Sequence, residues 1–438
     1  MVRVKRTRDR PLAPTLRLDG VEPAERRLRV LLLSQYFPPE VGATQSRMQA
    51  FAEYLAARGH QVTVIAEFPN HPRGVIPADY RGSLYEDDRS NPYRVLRVWV
   101  KASEEKTQRT RMAFYLSYMA LATALAPVAG KADVVVATTP PLFTGAAGLA
   151  LARLNRAPFV LDVRDLWPSA AVSLNQISAG RPLRLAEWLE RLLYRKATAV
   201  VAVTRPFCAH VDRIRAAPPP TTLIPNGTLD LFLDAEPANG RAALRADPDE
   251  FVVTFAGTHG IAQGLDTVIE AAPQLDREAR FALIGDGPLK EPLVRLAHEA
   301  GVRNVDFHDQ VPLTETPPLL ASSDALLVPL SAHPTFRDFV PSKLIDAMAV
   351  GRPVVLAAAG EAAHILEEAG AGVVAAPEDP DDLVRAVRWL RSHPAEAAEM
   401  GRRGREYART RRRSEGAKQL ERLILDATAV AYSSASPS

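Results

Sequence analysis

Two carboxylates, Asp338 and Asp346, stand eight residues apart and bracket the segment Pro341-Ser342-Lys343-Leu344. Pro341 and Ser342 are helix-opening residues, and Gly351 and Pro353 close that helix before an apolar run, Val354-Val355-Leu356. The opening turn of a helix carries backbone N–H groups without partners and the positive end of a dipole, which suits a diphosphate. A carboxylate on the first turns, Asp346, is placed to accept hydrogen bonds from sugar hydroxyls beside those phosphates. The chemistry this combination suggests is the handling of a nucleotide-sugar. The same residues also read as ordinary helix punctuation, with Leu344, Ala347 and Met348 as a core face. The rest of the chain has to decide.

Four other loops carry residues of the same kind. Gly257-Thr258-His259-Gly260-Ile261-Ala262-Gln263-Gly264 follows an apolar run and is expected to open a helix. Its glycines and helix N-terminus suit a phosphate, with His259 available to donate; the alternative is a tight turn with an incidental histidine. Ile284-Gly285-Asp286-Gly287-Pro288 is a strand-end turn where a planar base could lie, or simply a turn. Asp162-Val163-Arg164-Asp165-Leu166-Trp167-Pro168 sets Arg164 and Asp165 beside a Trp-Pro turn, as reacting groups or as a mutual brace. In Phe37-Pro38-Pro39-Glu40-Val41-Gly42-Ala43-Thr44, Gly42 lets backbone approach an anion and Thr44 is placed to cap a helix.

Other chemistries are disfavoured. Gly-x-Gly-x-x-Gly is absent, which counts against a nicotinamide enzyme. Asp247-Pro248-Asp249 and Asp379-Pro380-Asp381 read as helix caps and loop residues rather than metal ligands. The nine histidines have no ligand spacing, and no Ser-His-Asp nucleophile elbow is present.

The elements that position these loops are short apolar runs alternating with helical patterns. Strands are expected at 29–34, 62–66, 95–100, 133–138, 159–163 and 199–203, with an amphipathic helix at 44–58 ended by Gly59. The pattern then restarts, at 251–256, 281–285, 304–307, 325–329, 353–357 and 372–375. Repeated strand–helix–strand units indicate doubly wound parallel sheets. The expectation is therefore α/β: two facing Rossmann-like domains with the strand carboxyl ends around an interdomain cleft. Their expected bounds are 28–205 and 206–404, with Pro218-Pro219-Pro220 and Ile224-Pro225-Asn226-Gly227 as loop signals. Residues 1–27 are read as a disordered basic extension. Residues 405–438 are read as a helix, about 405–428, packing back on the first domain, followed by a tail.

At 438 residues the chain fits two cores rather than one, and its 47% hydrophobic and 24% charged content is that of a globular protein. A net charge of +3 does not argue for nucleic acid. The charge is uneven, however: residues 1–29 carry nine Lys/Arg against four Asp/Glu, and residues 402–422 carry nine more, including Arg411-Arg412-Arg413. Such patches suit either solvent or anionic lipid. Met112–Gly130 is uncharged for nineteen residues and reads as a buried helix, a helix that also touches a membrane, or a spanning segment. Cys208 is the sole cysteine, so an intramolecular disulfide is excluded and a reducing, cytoplasmic setting is expected. The N-terminus lacks the continuous apolar core of a secretory signal.

With these motifs in place, the chain resembles family 4 of the glycosyltransferases, the retaining enzymes of the GT-B fold. More closely it is similar to the bacterial fucosaminyltransferase-like branch that builds O-antigen and capsule. The resemblance runs from about Leu28 to 425. It rests jointly on Phe-Pro-Pro-Glu-x-Gly, Phe-Pro-Asn-His-Pro-Arg-Gly (68–74), Arg-Asp-Leu-Trp-Pro, Ala-Gly-Thr-His-Gly-x-Ala-Gln-Gly-Leu-Asp and Pro-Ser-Lys-Leu. It implies that the second domain binds a nucleotide-sugar donor through Gly257, Thr258, His259, Gly260, Gln263, Gly285, Ser342, Lys343 and Asp346. Asp338 and Asp346 fall on the family's paired glutamates, the first contacting the transferred sugar and the second the ribose. Gly42 would approach the donor diphosphate from the opposite domain, and Arg164-Asp165 takes the place where many relatives carry His-Asp near the reacting sugar.

The resemblance also implies that no metal cofactor is needed, phosphate charge being offset by protein groups. Two departures stand out. Both glutamates are aspartates here, and the usual diphosphate-neutralising Arg and Lys are replaced by Thr258 and Gln263, which leaves Lys343 and His259 to supply positive charge. Gln is common at this position in the fucosaminyltransferase-like branch. The expected activity is transfer of a sugar from a nucleotide diphosphate, UDP first, to a glycan precursor on polyprenyl diphosphate, with retention, at the inner face of the plasma membrane. Two rivals remain: a catalytically silent binding subunit of a glycan-assembly complex, and a nucleotide-sugar 2-epimerase, which would need further carboxylates and His for proton transfer.

Overall fold

Runs such as Val134-Val135-Val136-Ala137 and Val354-Val355-Leu356-Ala357 are buried on both faces, as strands inside a parallel sheet covered by helices must be. A computed structural model of the chain describes residues 5–6, 12, 15–71, 73–105, 107–169, 172, 180–216, 218–237, 240–247 and 249–435. Two sheets result. The first contains Lys5–Arg6 (β1), Arg29–Leu33 (β2), Gln61–Glu67 (β3), Tyr85–Asp88 (β4), Arg94–Val98 (β5), Val134–Thr139 (β6), Phe159–Val163 (β7), Ala199–Ala202 (β8) and Thr222–Leu223 (β9). Its order is β1-β4-β5-β3-β2-β6-β7-β8-β9, parallel except where β4 meets β5. The second contains Phe251–Ala256 (β10), Ala279–Ile284 (β11), Val305–His308 (β12), Ala325–Pro329 (β13), Val354–Ala357 (β14) and Gly372–Ala375 (β15). Its order is β12-β11-β10-β13-β14-β15, parallel throughout.

Both sheets are doubly wound, and the order reverses between β2 and β6 in the first and between β10 and β13 in the second. Ligands bind such sheets at the carboxyl ends of the strands beside that reversal. All twelve expected strands are present, with ends shifted by a few residues. Three strands were not foreseen. β4 is Tyr85-Glu86-Asp87-Asp88, too acidic to read as a strand, and β1 and β9 are two residues each.

The chain divides into a first unit of residues 1–226 with 413–438 and a second unit of residues 227–412. The boundaries expected at 205/206 and 404/405 are therefore displaced. The helix Arg205–Arg215 and β9 complete the first sheet beyond residue 205. Near the other end, the expected single helix from 405 is two helices, Pro394–Arg409 and Arg413–Ala435. The break comes where Arg412 forms a bridge with Thr228, whose N–H donates to the Arg411 carbonyl at 2.9 Å. Arg411 stacks on Tyr407 and pairs with Glu368, and Arg412 pairs with Asp230, so these two cations of the basic triplet are tied into the second unit.

The described part of the N-terminal extension is ordered, against expectation. Thr15 and Leu16 donate backbone N–H to the Glu53 carboxylate at 2.9 and 3.1 Å, and Leu16 and Ala24 are buried. Met112–Gly130 falls on the helix Gln108–Ala124 and a short turn of helix, Ala126–Ala129. Tyr118 of that helix is fully buried and donates to the Ile65 carbonyl at 2.7 Å. Among the described residues no helix is long and apolar enough to cross a membrane.

The helix Arg413–Ala435 belongs to the first unit and packs on the helix Ala43–Ala57 through Ala417, Leu420 and Ile424, all fully buried. Glu421, amid these residues, accepts from Arg58 at 2.8 Å and pairs with the buried His60 at 2.9 Å. Ile424→Ala is expected to cost about 2–5 kcal/mol by leaving a cavity under this helix. A urea titration followed by circular dichroism measures it, and a loss below about 1 kcal/mol would mean the helix is not integral to the first unit.

Candidate functional site

In the second unit the residues singled out from the sequence gather at the carboxyl ends of β10, β11 and β13, beside the strand-order reversal. The loop after β10 and the loop after β11 lie on each other backbone to backbone. Gly257 donates its N–H to the Ile284 carbonyl at 2.8 Å, and His259 donates its own to the Asp286 carbonyl at 2.9 Å. The His259 carbonyl accepts from Leu289 N–H at 3.0 Å. Gly285 has φ +143°, and a Cβ there would fall on the Gly257 carbonyl oxygen. Gly257 has φ +155°, and a Cβ there would fall on the ammonium end of Lys343. Conformation favours glycine at both positions, and at Gly285 the backbone contact requires it as well.

Lys343 comes from the helix Ser342–Val350, which starts after β13 and ends at Gly351 with φ +82°. Its ammonium sits 4.7 Å from the centroid of the Phe255 ring. Among the described residues it makes no ion pair, and burial pulls its pKa down to about 8, with Asp346 opposing the shift. Asp346 lies one turn along the same helix, on its second turn rather than its first. Its Oδ1 accepts from the buried Thr228 hydroxyl at 2.8 Å. Ser342 opens the helix, with Pro341 at the N-cap and no side-chain cap.

His259 differs from expectation. Its ring is fully buried between Phe255 (5.9 Å between centroids) and Phe307 (6.2 Å), and neither ring nitrogen has a partner. Burial, with Lys290 and Lys343 nearby, pulls its pKa down to about 4, so the imidazole is neutral at neutral pH and is not an exposed donor. The loop does lead into an α-helix, which begins at Asp266 after a 3-10 turn, Ile261–Gln263, within the loop. Gln263 Oε1 accepts from Gly260 N–H at 3.2 Å, and Thr258 is exposed. Asp338 ends the 3-10 segment Pro334–Asp338 between β13 and the Lys343 helix, and its side chain is exposed.

In the first unit the singled-out residues also lie at strand carboxyl ends. Gly42 is the N-cap residue of the helix Ala43–Ala57, in extended conformation and with no side-chain cap, so Thr44 does not cap it. Arg164 follows β7 and donates Nε to Thr138 Oγ1 at 2.7 Å. Thr138 donates in turn to Asp162 at 2.9 Å, and Asp162 receives Arg47 at 2.9 Å. Arg47 also donates to the carbonyls of Ile224 and Pro225 at 2.9 and 3.0 Å, so a buried ion pair fixes the end of this sheet. Burial pulls the Arg164 pKa down to about 10, against the attraction of Asp162. Arg164 is thus braced by Thr138 and Asp162, not by a hydrogen bond to Asp165. Asp165 is left with a buried Oδ1 that has no partner, and desolvation raises its pKa to about 6 despite the nearby Arg164.

Comparison with known proteins agrees with both halves. Residues 42–227 match the glycosyl transferase 4-like domain, and residues 238–407 match the glycosyl transferases of group 1. The chain belongs to the GT-B glycosyltransferases of this group. It is 26% identical to a putative colanic acid biosynthesis glycosyl transferase, WcaI, of Escherichia coli, over 82% of this chain and 91% of the relative. It is also 26% identical to a GDP-mannose-dependent phosphatidylinositol monomannoside mannosyltransferase of Mycolicibacterium smegmatis, over 86% and 93%. Among solved structures, Anabaena HepE in complex with UDP-glucose superposes with a TM-score of 0.67 at 19% identity, covering 91% of this chain and all of that one.

This glycosyltransferase holds site residues that the sequence reading passed over. The Phe255 platform and the Thr228 partner of Asp346 carry no local signal, because each is recognisable only once distant strands are paired. The Arg47–Asp162 pair had a weak signal: Gln45, Arg47, Gln49 and Glu53 all fall on a helix that turns out to be buried around most of its circumference. Glu40 of the Phe-Pro-Pro-Glu motif accepts from the N–H groups of Asn70 and His71 at 2.7 and 2.8 Å. That carboxylate thereby ties the first motif to the Phe-Pro-Asn-His-Pro-Arg-Gly motif.

Two outcomes follow from this geometry. Gly285→Ala is expected to destabilise the second unit by more than about 1 kcal/mol and to disrupt the loop pair, read as a lowered melting temperature. An unchanged melting temperature would show that the loops are not held in contact. Asp165 binds its proton more tightly folded than unfolded, since the free carboxyl titrates near 3.9. Its stabilising contribution is therefore complete below about pH 4 and is lost as pH rises through about 6. Asp165→Asn should then be more stable than wild type at pH 7, on the order of 1–3 kcal/mol, with the advantage vanishing at pH 4. Equal melting curves at both pH values would contradict that environment.

Proposed function

We propose that the protein transfers a sugar from a nucleotide-diphosphate donor, with UDP the first candidate, to a lipid-linked glycan precursor in cell-surface polysaccharide biosynthesis, retaining the anomeric configuration. The observation that carries this reading is the Lys343 ammonium, laid over Gly257 and the Phe255 ring with no carboxylate in ion-pair contact. A desolvated cation whose charged neighbour, Asp346, accepts from Thr228 instead of pairing with it has capacity for an anion. The donor diphosphate meets Lys343 and the backbone of Gly257 to Gly260, Gly285 lets the two loops close beneath it, and Asp346 serves the ribose. Asp338 serves the transferred sugar.

The sugar–phosphate C–O bond breaks as the nucleoside diphosphate departs, and an acceptor hydroxyl attacks from the same face. Lys343 offsets the charge gathering on the leaving phosphate. In the first unit, Asp165, with its unpartnered oxygen beside the braced Arg164, is our candidate for acting on the reacting sugar, and Gly42 our candidate for the diphosphate. No metal cofactor enters this scheme. A polyprenyl diphosphate carrier sets the reaction at the cytoplasmic face of the membrane, with the protein peripheral to it. WcaI, a putative colanic acid biosynthesis enzyme, supports the polysaccharide setting and the HepE complex with UDP-glucose supports UDP, whereas the mycobacterial relative is GDP-mannose-dependent.

A second reading, a silent nucleotide-binding subunit, is favoured by Thr258 and Gln263, which bring hydrogen-bonding groups but no positive charge to the β10 loop. A thermal-shift panel with UDP, GDP, ADP, dTDP and CMP on wild type and Lys343→Met decides the donor. A nucleotide at a hundred times its dissociation constant stabilises the fold by about 2.7 kcal/mol. UDP is expected to shift wild type and to lose most of its effect in the variant. Because Lys343 loses its proton near pH 8, affinity should fall as pH rises from 7 to 9 in wild type only. No shift with any nucleotide would sink the donor reading. Binding without transfer to any lipid-linked acceptor would leave the silent-subunit reading standing.

A further inference from the structure

The helix Arg181–Lys196 buries Ala186, Glu190, Leu193 and Tyr194 against the first unit. Its outward face is unusual. Leu185 is 62% and Trp188 54% exposed, the latter the most exposed aromatic side chain among the large exposed hydrophobics. Arg181, Arg184, Arg191 and Arg195 stand at the same three- and four-residue spacing, so they share that face with Leu185 and Trp188. All four are exposed, and among the described residues none forms an ion pair, while Arg195 donates Nε to the Ile214 carbonyl at 3.2 Å. Of the two acidic residues of the helix, Glu190 is buried on His210 at 3.2 Å, and Glu187, three residues from Arg184 and four from Arg191, borders the stripe. The neighbouring helix Leu142–Asn155, which packs against this one, exposes Leu154 at 67% beside Arg153 and Arg156.

We infer that this face docks on an anionic lipid bilayer, with Leu185 and Trp188 entering the headgroup boundary and the arginines meeting lipid phosphates. The charge pattern selects this occupant. Arg and Trp are also common at protein–protein interfaces, so the selecting feature is the sign of the charge: four exposed cations surround the two apolar side chains, as an anionic surface requires. An interfacial helix has the pattern seen: Trp and Leu flanked by Arg whose stems lie along the apolar surface and whose heads reach the phosphates. Trp also prefers the headgroup level of a membrane. The inference deepens the membrane side of the proposed function by naming the surface. It moves the contact away from the Arg411–Arg413 triplet, two of whose members are already paired within the second unit.

Full-length protein is sedimented with phosphatidylglycerol vesicles and with phosphatidylcholine vesicles. Wild type is expected to pellet with the anionic vesicles only, and less at high salt. Leu185→Ser/Trp188→Ser and, separately, Arg184→Gln/Arg191→Gln should each lower partitioning about tenfold or more while melting temperature is unchanged. Wild type that ignores anionic vesicles, or both double variants partitioning like wild type, overturns the inference. So does loss of self-association in the Ser variant with vesicle binding intact, which would assign the face to a second copy of the chain. Nucleotide stabilisation in vesicle-free buffer is measured on the same samples. If it persists while vesicle binding fails, the surface is wrong and the donor reading survives; if it fails alone, the reverse holds.

Discussion

Much of the candidate site follows from one constraint, the reversal of strand order in a parallel sheet. Where β10 lies beside both β11 and β13, the chain leaves β10 in one direction and β13 in the other, so the connecting segments part above the strand ends. Two glycines let the β10 and β11 loops lie in contact on one side of that parting. The helix after β13 begins on the other side and sends Lys343 back over the first loop. The same reversal between β2 and β6 places Gly42, Thr138 and Arg164 at one end of the first sheet. Sheet order, not local loop sequence, decides that these residues are neighbours.

Desolvation then disfavours whichever charged form is buried, in both units. In the second unit it disfavours positive charge, leaving His259 neutral and Lys343 only weakly basic. In the first it disfavours negative charge on Asp165. The contrast with Arg47 and Asp162 is informative, because that pair is at least as deeply buried yet hydrogen-bonded on both sides. A buried pair with its lone pairs and protons satisfied is a structural element, and removing one partner would strand the other's charge. Lys343 and Asp165 lack such partners. Buried groups held away from their preferred charge state are expected where a ligand or reacting atom completes the surroundings.

The fold was more legible than the site. All twelve core strands could be read from apolar runs, since a strand buried on both faces leaves a continuous signal. β4 escaped because Glu86, Asp87 and Asp88 read as a solvated turn until the fold sets Arg94 against Asp87, and the unit boundaries escaped because Arg205–Arg215 and β9 carry no sign of which sheet they complete. Residues 15–27 looked like a loose basic tail, yet Glu53 holds their backbone from a position that only the folded helix presents. At the site, Gly257, Gly285 and Lys343 were all visible as residue types. Their contact was not, and neither was the burial of His259, which turned an apparent donor into a neutral ring between two phenylalanines.

The sequence by itself determined the class of the protein: two doubly wound α/β halves, glycines and a Pro-Ser-Lys helix start at strand ends, and motifs whose joint occurrence marks a glycosyltransferase. Those features are local, and local patterns of burial and turn chemistry survive in a linear reading. Tertiary structure alone decided that Lys343 reaches Gly257 across some eighty-six residues of chain, and that Asp346 takes Thr228 as partner. It alone decided that Asp165 keeps an oxygen unsatisfied and that Trp188 faces outward. The physical reason is that charge state and accessibility belong to the surroundings of a group, and those surroundings are assembled from segments that the sequence keeps far apart.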